Sequence, residues 1–268
     1  MLTPFSGHVE IQVHPADSRK EYRNRVQVHY DLNRNQFGFN SPIEGKLIAV
    51  PQCQLPIKII QEKLHQLYQN DQWKHLIKKD QPRQGHIEIY YREEQLQISV
   101  NKEYADGGFT QVNQSMNLVL KAKLFEIFNK HHPKTILDLF GGNGNLTNHY
   151  SQAQVLVVDS FQSNPELLQP WQQFRQVNLY KEQQWQPFLK SISNFDFLLC
   201  DPPRSGIKHL DLVIKKVKPK HICYVSCNPS TMIRDMRAVK NYKLTEAHLL
   251  DLFPGTHHFE SITFFERE

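Results

Sequence analysis

The sequence predicts an α/β protein with a doubly wound, Rossmann-like sheet, preceded by a smaller β-rich α+β domain. Beyond residue 107, short apolar runs alternate with stretches of helical periodicity, a pattern typical of a parallel sheet covered by helices. Two of these runs, 195–199 and 222–225, end in the polar clusters DPPR (201–204) and SCNP (226–229). Ligands of such sheets bind at the carboxyl ends of the strands, so both clusters are candidate site residues.

The composition suits a polyanionic partner without requiring one. The 268 residues carry a formal net charge of +5, and the pI is about 8.9. No apolar run approaches the roughly 20 residues that span a bilayer, and the amino terminus lacks the apolar core of a signal peptide. We therefore expect a cytoplasmic protein without a membrane partner. A monomer is expected as well, although no sequence feature determines the oligomeric state. The four cysteines lack zinc or iron–sulfur spacing, so no metal is expected.

Residues 1–106 have the alternating pattern of an antiparallel, β-rich domain. Gly107 and Gly108 mark its boundary with the second domain, 107–268. One stretch, 56–76, has apolar positions at helical spacing instead. The predicted strands are 26–30, 37–39, 46–50, 86–91 and 95–100.

The segment YRNR (22–25) places Arg23 and Arg25 around one amide and next to an aromatic ring. Such a cluster can hold phosphates and stack on bases. The alternative is a solvated strand edge, which the pattern alone favours.

In the second domain, strands and helices alternate. Asn113 is suited to cap the first helix, and the glycine-rich loop FGGNGN (140–145) is expected to open another. The predicted elements are a helix over 113–131, strands at 135–139, 154–158, 175–179, 195–199 and 222–225, and a last strand that starts at Glu260.

Polar residues at the strand ends indicate a nucleoside cofactor. Asp159 follows the second strand, where a carboxylate can accept hydrogen bonds from both ribose hydroxyls, and Asn178 at the third exit suits an adenine edge. A dinucleotide fold requires G-x-G-x-x-G and binds a pyrophosphate, whereas this loop lacks the third spaced glycine and starts near Asp138, which repels anions. S-adenosylmethionine, a cationic sulfonium, fits better.

Cys227 is the candidate nucleophile, because it lies at a strand end opposite Asp201 in a loop that can present N–H groups and lower the thiol pKa. C5 of a pyrimidine is too weak a nucleophile to attack a methyl sulfonium, but a thiolate added to C6 makes C5 enolate-like. A related motif with an aromatic residue in place of Arg204 methylates amines without a thiol, so this motif favours carbon methylation. The alternative for a single cysteine is buried packing.

After methyl transfer, a base must remove the C5 proton so that the thiolate can leave. The segment FPGTHHFES (253–261) puts Glu260 at the start of the final strand. His257 and His258 are rival bases, although such histidines more often have a structural role or contact phosphate.

Together, the motifs resemble those of the S-adenosylmethionine-dependent RNA uridine-C5 methyltransferases, which form 5-methyluridine in tRNA and ribosomal RNA. SCNP with a later T-x-H-x-E is a specific combination, whereas the glycine loop alone is not. The matching segments, in the family's order, are YRNR (22–25), FTQVN (109–113), LDLFGGNGN (137–145), DPPRSG (201–206), VSCNPST (225–231) and FPGTHHFES (253–261).

The resemblance implies a class I methyltransferase fold, with Cys227 as nucleophile, Glu260 as base and the target uridine flipped out of its stack. The implied S-adenosylmethionine contacts are Gln111, Phe140, Asn145, Asp159, Asn178 and Asp201. The implied substrate-binding residues are Phe109, Arg204, Arg23 and Arg25.

The chain lacks two features that many family members carry, an amino-terminal β-barrel that binds RNA and a four-cysteine iron–sulfur site. Cys53 stands at the position of the last cluster ligand, so no cluster is expected. The motifs leave tRNA and ribosomal RNA open as substrates. Two alternative functions are a non-catalytic RNA-binding relative and C5-methylation of another pyrimidine target.

Overall fold

The computed structural model describes residues 9–41, 45–102, 111–161, 164–237 and 239–268. They form two compact units: the small unit spans 17–115, and the large unit joins the residues up to 16 with 116–268. The boundary predicted at Gly107 lies outside the described residues, so it stays a prediction. No helix in the described ranges is long and apolar enough to cross a membrane.

Thirteen strands and five α-helices account for the regular structure of the described residues. The strands are β1 (Ile11–His14), β2 (Arg25–Asp31), β3 (Gln36–Asn40), β4 (Leu47–Ile48), β5 (Gln84–Arg92), β6 (Gln95–Val100), β7 (Thr135–Leu139), β8 (Gln154–Asp159), β9 (Gln172–Gln176), β10 (Phe197–Cys200), β11 (His221–Ser226), β12 (Tyr242–Leu250) and β13 (Glu260–Arg267). The helices are α1 (Lys58–Tyr68), α2 (Gln114–His131), α3 (Glu182–Ser191), α4 (Leu210–Val217) and α5 (Pro229–Arg237).

The large unit is built on an eight-stranded sheet of order β1-β12-β13-β11-β10-β7-β8-β9. Its described strands run parallel except β13, which is antiparallel to both neighbours. Helix α2 packs on one face through Leu120 and Leu124, and helices α3, α4 and α5 pack on the other. The predicted doubly wound α/β fold is therefore confirmed.

Three local predictions for the large unit differ from the structure. The third strand spans 172–176 rather than 175–179, because the polar side chain of Gln172 turns inward where the pattern suggests solvent. Residues 142–149 form turns instead of a helix, since φ is positive at Phe140, just before this segment, and at Gly142 and Gly144 within it. The pattern also predicts no strand at β1, whose side chains are mostly exposed.

The small unit contains an antiparallel sheet of order β4-β3-β2-β5-β6, so the predicted β-rich α+β character is confirmed. Its core includes Trp73, whose ring stacks on Phe37 with centroids 5.3 Å apart. The helix predicted over 56–76 ends at Tyr68, because Asn70 and Asp71 adopt left-handed φ angles. A 3₁₀ turn follows and carries Trp73 into the core.

A buried polar cluster supports the glycine-rich loop. Asp138 is fully buried, and its Oδ2 accepts a hydrogen bond from Thr147 Oγ1 at 3.0 Å. Gln172 Nε2 donates to the same hydroxyl at 2.8 Å and to the carbonyl of Gly144 at 2.8 Å. Burial, with the nearby charges of Asp201 and Asp159, raises the pKa of Asp138 to about 8.

The Asp138 carboxyl should make the protein less stable as the pH rises. The folded state keeps the proton of the Asp138 carboxyl up to about pH 8, whereas the unfolded chain releases it at about pH 4. Between those values the folded state binds more protons, so the free energy of unfolding falls with increasing pH. Asp138→Asn keeps an acceptor for Thr147 and should flatten urea-unfolding stability between about pH 5 and about pH 8 by a few kcal/mol. The exposed Glu166→Gln is the control, and parallel curves for wild type and Asp138→Asn would contradict the assignment.

Candidate active site

One edge of the large sheet collects the predicted catalytic and cofactor residues. Strands β7, β8, β10 and β11 are parallel, so the residues that follow them meet at their carboxyl ends. These residues include Phe140, Asp159, Asp201 and Cys227. Because β13 is antiparallel, its first residue, Glu260, starts at the same edge.

The loop after β7 folds tightly over the end of β8. The N–H groups of Phe140 and Gly141 both donate to the carbonyl of Val158, at 2.8 and 3.2 Å. A Cβ on Gly141 would lie 2.7 Å from the Asp138 carboxyl carbon, so only glycine permits this approach. Phe140 itself has a φ of +63°, a conformation that non-glycine residues rarely adopt.

The carboxylate of Asp159 is fixed by the backbone around it. Its Oδ2 accepts from the N–H of Gly142 at 3.0 Å. Its Oδ1 accepts from the N–H groups of Ser160 and Phe161, at 2.6 and 3.2 Å. The side chain is 9% exposed, so the predicted ribose acceptor is already oriented by the fold.

Two other predicted cofactor residues bind protein groups. Asn145 exchanges side-chain hydrogen bonds with Asn117 on α2, at 3.0 and 3.4 Å. Asn178 lies beyond the end of β9, and its Oδ1 accepts from the N–H of Tyr180 at 3.0 Å. The ring of Tyr180 lies 5.7 Å from that of Phe140, so these loops meet at the edge.

Asp201 brings a second carboxyl to the edge. Its N–H donates to the carbonyl of Leu139 at 3.1 Å, which continues the pairing of β10 with β7 past the strand end. Desolvation and the charge of Asp159 raise the pKa of Asp201 to about 7. In the described part of the chain, no cation lowers the pKa of Asp138 or Asp201, so carboxyls dominate the electrostatics here.

Cys227 lies in a tight turn between β11 and α5. The N–H of Asn228 donates to Ser226 Oγ at 3.0 Å, and Asn228 Oδ1 accepts from the N–H of Ser230 at 3.2 Å and so caps the helix. The thiol is half-buried. Burial and the charge of Glu260 raise the pKa of Cys227, whereas Arg204 lowers it through its charge and a side-chain hydrogen bond.

Glu260 occupies the paired start of β13, opposite Leu250, and is 6% exposed. Burial and the charge of Asp201 raise its pKa well above the ordinary value, and Arg204 lowers it. The structure therefore brings the thiol of Cys227, this carboxyl and one guanidinium close together. The rival base His257 is exposed, and the other, His258, contacts Arg204.

The loop that carries Arg204 is anchored by a buried aspartate that sequence reasoning missed. Asp235 Oδ2 accepts from the N–H of Ile207 at 2.5 Å and from the hydroxyl of Tyr224 at 2.7 Å. Gly206 has a φ of +73°, and a Cβ there would lie 2.3 Å from the same oxygen. A single aspartate on a helix face gives no sequence signal, because its partners lie far away along the chain.

The remaining predicted residues belong to the small unit or lie outside the described residues. Phe109 is outside them, and Gln111 has a buried Oε1 without a hydrogen-bond partner among the described residues. Arg25 is 8% exposed and forms an ion pair with Glu88, which favours a structural role. Arg23 is half-buried, with its guanidinium carbon 5.6 Å from the ring centroid of Tyr22. No group of three or more potential metal ligands occurs among the described residues.

Comparison with known proteins gives consistent matches along the sequence. Residues 163–268 match the family model described as tRNA (uracil-5-)-methyltransferase. The chain is 36% identical over 177 residues to 23S rRNA (uracil(1939)-C(5))-methyltransferase RlmD of Salmonella choleraesuis, covering 61% of this chain and 40% of the relative. RlmD of Francisella tularensis subsp. novicida is 31% identical over 197 residues, covering 69% and 44%. The chain thus spans about two fifths of the length of these relatives.

Among solved structures, the fold is similar to that of Pyrococcus abyssi tRNA (uracil-54, C5)-methyltransferase in complex with S-adenosyl-L-homocysteine. The TM-score is 0.71 at 20% identity, and the match covers 96% of this chain and 79% of that chain. The fold is therefore the class I methyltransferase fold. The resemblance inferred from the motifs is confirmed: residues 163–268 match the tRNA (uracil-5-)-methyltransferase model, and the chain is similar to relatives named as RNA uracil-C5 methyltransferases.

Proposed function

We propose that this chain transfers a methyl group from S-adenosylmethionine to C5 of a uridine in RNA through a covalent bond between Cys227 and C6. The observation that carries the proposal is the convergence of Cys227, Glu260 and Arg204 at the acidic edge of the sheet. A thiol, a buried carboxyl and a guanidinium in mutual electrostatic contact are the groups that this chemistry requires.

The residues at the edge fit a cationic nucleoside cofactor. The charges of Asp201 and Asp159 raise the pKa of Asp138, and the charge of Asp159 raises that of Asp201, so a positive charge bound among these carboxyls would be stabilised and a pyrophosphate would be repelled. Asp138 Oδ1 is buried without a hydrogen-bond partner in the described ranges, and Gly141 leaves no Cβ over the loop. S-adenosylmethionine would supply an electrophilic methyl group at this place.

Asp159 is the residue we assign to the ribose hydroxyls, because its oriented carboxylate retains acceptor capacity beyond its backbone contacts. Phe140, Asn145, Asn178 and Asp201 are assigned to the rest of the cofactor, and the family motif adds Gln111. For Asn145 and Asn178, cofactor contact requires sharing or replacing the hydrogen bonds they make within the protein.

In the proposed mechanism the thiolate of Cys227 adds to C6, and the electron pair moves to C5. After C5 gains its methyl group, Glu260 accepts the C5 proton, and the Cys227–C6 bond breaks to regenerate the thiolate. The raised pKa of Glu260 makes its ionised form a stronger base but reduces the ionised fraction at low pH. The proton-removal step should therefore become faster as the pH rises.

The RNA class is proposed from the relatives, which are named for uracil-1939 of 23S rRNA and uracil-54 of tRNA. A net charge of +5 suits a polyanion, and RNA affinity should fall as the salt concentration rises. Among the RNA-contact candidates, Arg204 faces Cys227, and Arg23 offers a partly exposed guanidinium.

Trapping with 5-fluorouridine tests the nucleophile. Fluorine at C5 cannot leave as a proton, so the enzyme should stall on tRNA or ribosomal RNA that contains 5-fluorouridine in the presence of S-adenosylmethionine. We expect a denaturation-resistant adduct that is lost in Cys227→Ala and kept in Cys53→Ala, which alters a half-buried thiol of the small unit. An adduct with Cys227→Ala would refute the assignment of Cys227 as the nucleophile. Comparison of the two RNAs shows which one is the substrate.

Replacing Glu260 separates proton removal from methyl transfer. Glu260→Gln preserves the size of the buried side chain but cannot accept the proton, so methylated RNA should remain covalently bound and turnover should fall by about 10²–10⁴-fold. Gel analysis and steady-state rates measure the two effects. Glu266→Gln, farther along β13, is the matched control. Normal turnover by Glu260→Gln would show that another group acts as the base.

Replacing Asp159 tests the cofactor site without RNA. Asp159→Asn removes the charge that accepts hydrogen bonds from ribose hydroxyls, so S-adenosylmethionine should bind about 10- to 100-fold more weakly by calorimetry. The exposed Glu166→Gln should bind as the wild type does. Equal affinities of wild type and Asp159→Asn for S-adenosylmethionine would show that Asp159 does not bind the cofactor.

A further inference from the structure

The thiol of Cys227 has one cation to favour its ionised form among the charged groups acting on it in the described chain. Burial and the carboxyls of Glu260 and Asp201 raise its pKa, whereas Arg204 lowers it through its charge and a hydrogen bond. Because the thiolate is the reacting form, the position of the Arg204 guanidinium controls how much nucleophile is present.

Arg204 needs help to stay in that position. Its side chain is exposed, and a free arginine side chain loses rotamer entropy when it is held in one conformation. The backbone is held, since Asn228 Nδ2 donates to its carbonyl at 3.4 Å and the Asp235 contacts anchor the rest of the loop. The guanidinium itself contacts the imidazole ring of His258.

The contact between Arg204 and His258 is a face-on contact. Arg204 Nη2 lies 3.2 Å from Nδ1 and 3.2 Å from Nε2 of the imidazole. A nitrogen equidistant from both atoms at this range cannot lie in the ring plane, because it would collide with the carbon between them. The guanidinium nitrogen therefore lies over the ring face, where a neutral aromatic ring attracts a cation.

The imidazole is itself held in place. The N–H of His258 donates to Thr256 Oγ1 at 3.1 Å, and that hydroxyl donates to the carbonyl of Phe253 at 2.7 Å. The centroid of the His258 ring lies 3.9 Å from that of His257. It lies 6.3 Å from that of Phe253, and the His258 and Phe253 rings pack edge to face. This turn precedes Glu260 directly, so it is tied to the start of β13.

We propose that His258 is a positioning residue whose imidazole face holds the Arg204 guanidinium against the thiol of Cys227 and thereby promotes thiolate formation. The proposal rests on the proposed function only in taking Cys227 as the nucleophile. Among the described residues, the charged and titratable groups around this contact include Arg204, His257, Glu260, Asp201 and the thiol. A protonated imidazole would repel the guanidinium, so the arrangement requires a neutral ring.

The thiol can be tested without RNA or cofactor. The rate of Cys227 alkylation by iodoacetamide, followed by peptide mass spectrometry across a pH series, reports the thiolate fraction. Cys200 and Cys223 are buried, and peptide resolution separates Cys53 from Cys227. We would compare wild type with Arg204→Gln, His258→Ala and His258→Phe, and use the exposed His149→Ala as control.

Arg204→Gln and His258→Ala should both shift the alkylation profile to higher pH and slow the reaction near neutrality, by up to about tenfold for one pKa unit. His258→Phe keeps an aromatic face and should restore the rate to within about twofold of the wild type. His149→Ala should match the wild type. Thermal unfolding of each variant identifies any loss that is due to misfolding.

The proposal fails if a folded His258→Ala reacts as the wild type does, or if His258→Phe is as slow as His258→Ala, since the ring face would then not hold the guanidinium. An Arg204→Gln variant with wild-type reactivity would also overturn it. Absence of methyl transfer by the wild type, with these alkylation shifts present, would refute the proposed function and leave the role of His258 intact.

Discussion

The antiparallel ladder between β11 and β13 is the constraint on which the candidate site depends. It sets Ser226 opposite Ser261, and Ser261 Oγ also donates to the carbonyl of Ser226 at 2.9 Å. Cys227 and Glu260 are the residues next to this pair, one leaving its strand and the other entering. Because β13 runs antiparallel to its neighbours, it brings Glu260, from near the end of the chain, to the edge where the parallel strands end.

The electrostatics of this edge follow from its construction. Strands β7, β8, β10 and β13 each bring a carboxyl to this edge, and burial raises the pKa values of Asp138, Asp201 and Glu260. A cluster of buried carboxyls lowers the stability of the free protein. This is expected at a site whose residues are selected for ligand binding rather than for folding. Arg204 offsets the repulsion on the side of Glu260 and Cys227, whereas no cation among the described residues lowers the pKa of Asp138 or Asp201 on the glycine-rich side.

The sequence was sufficient to predict the strands next to the site, because runs such as 195–199 and 222–225 are uniformly apolar and lead directly into Asp201 and Cys227. It was insufficient where a polar side chain points inward. Gln172 on β9 and Asp235 on α5 are buried by partners that are remote in sequence, which periodicity cannot detect. Alternation likewise does not distinguish an exposed arginine from Arg25, which is buried against Glu88.

Strand β1 gives the large unit a non-local topology. Ile11 pairs with Ala247, and the whole small unit lies between them in the chain. During synthesis on the ribosome, β1 must wait until β12 has emerged before it can pair, so the sheet has a high contact order and its outer strand forms late. Until then β1 is unpaired and open to pairing with other chains, a period in which a chaperone would be of use.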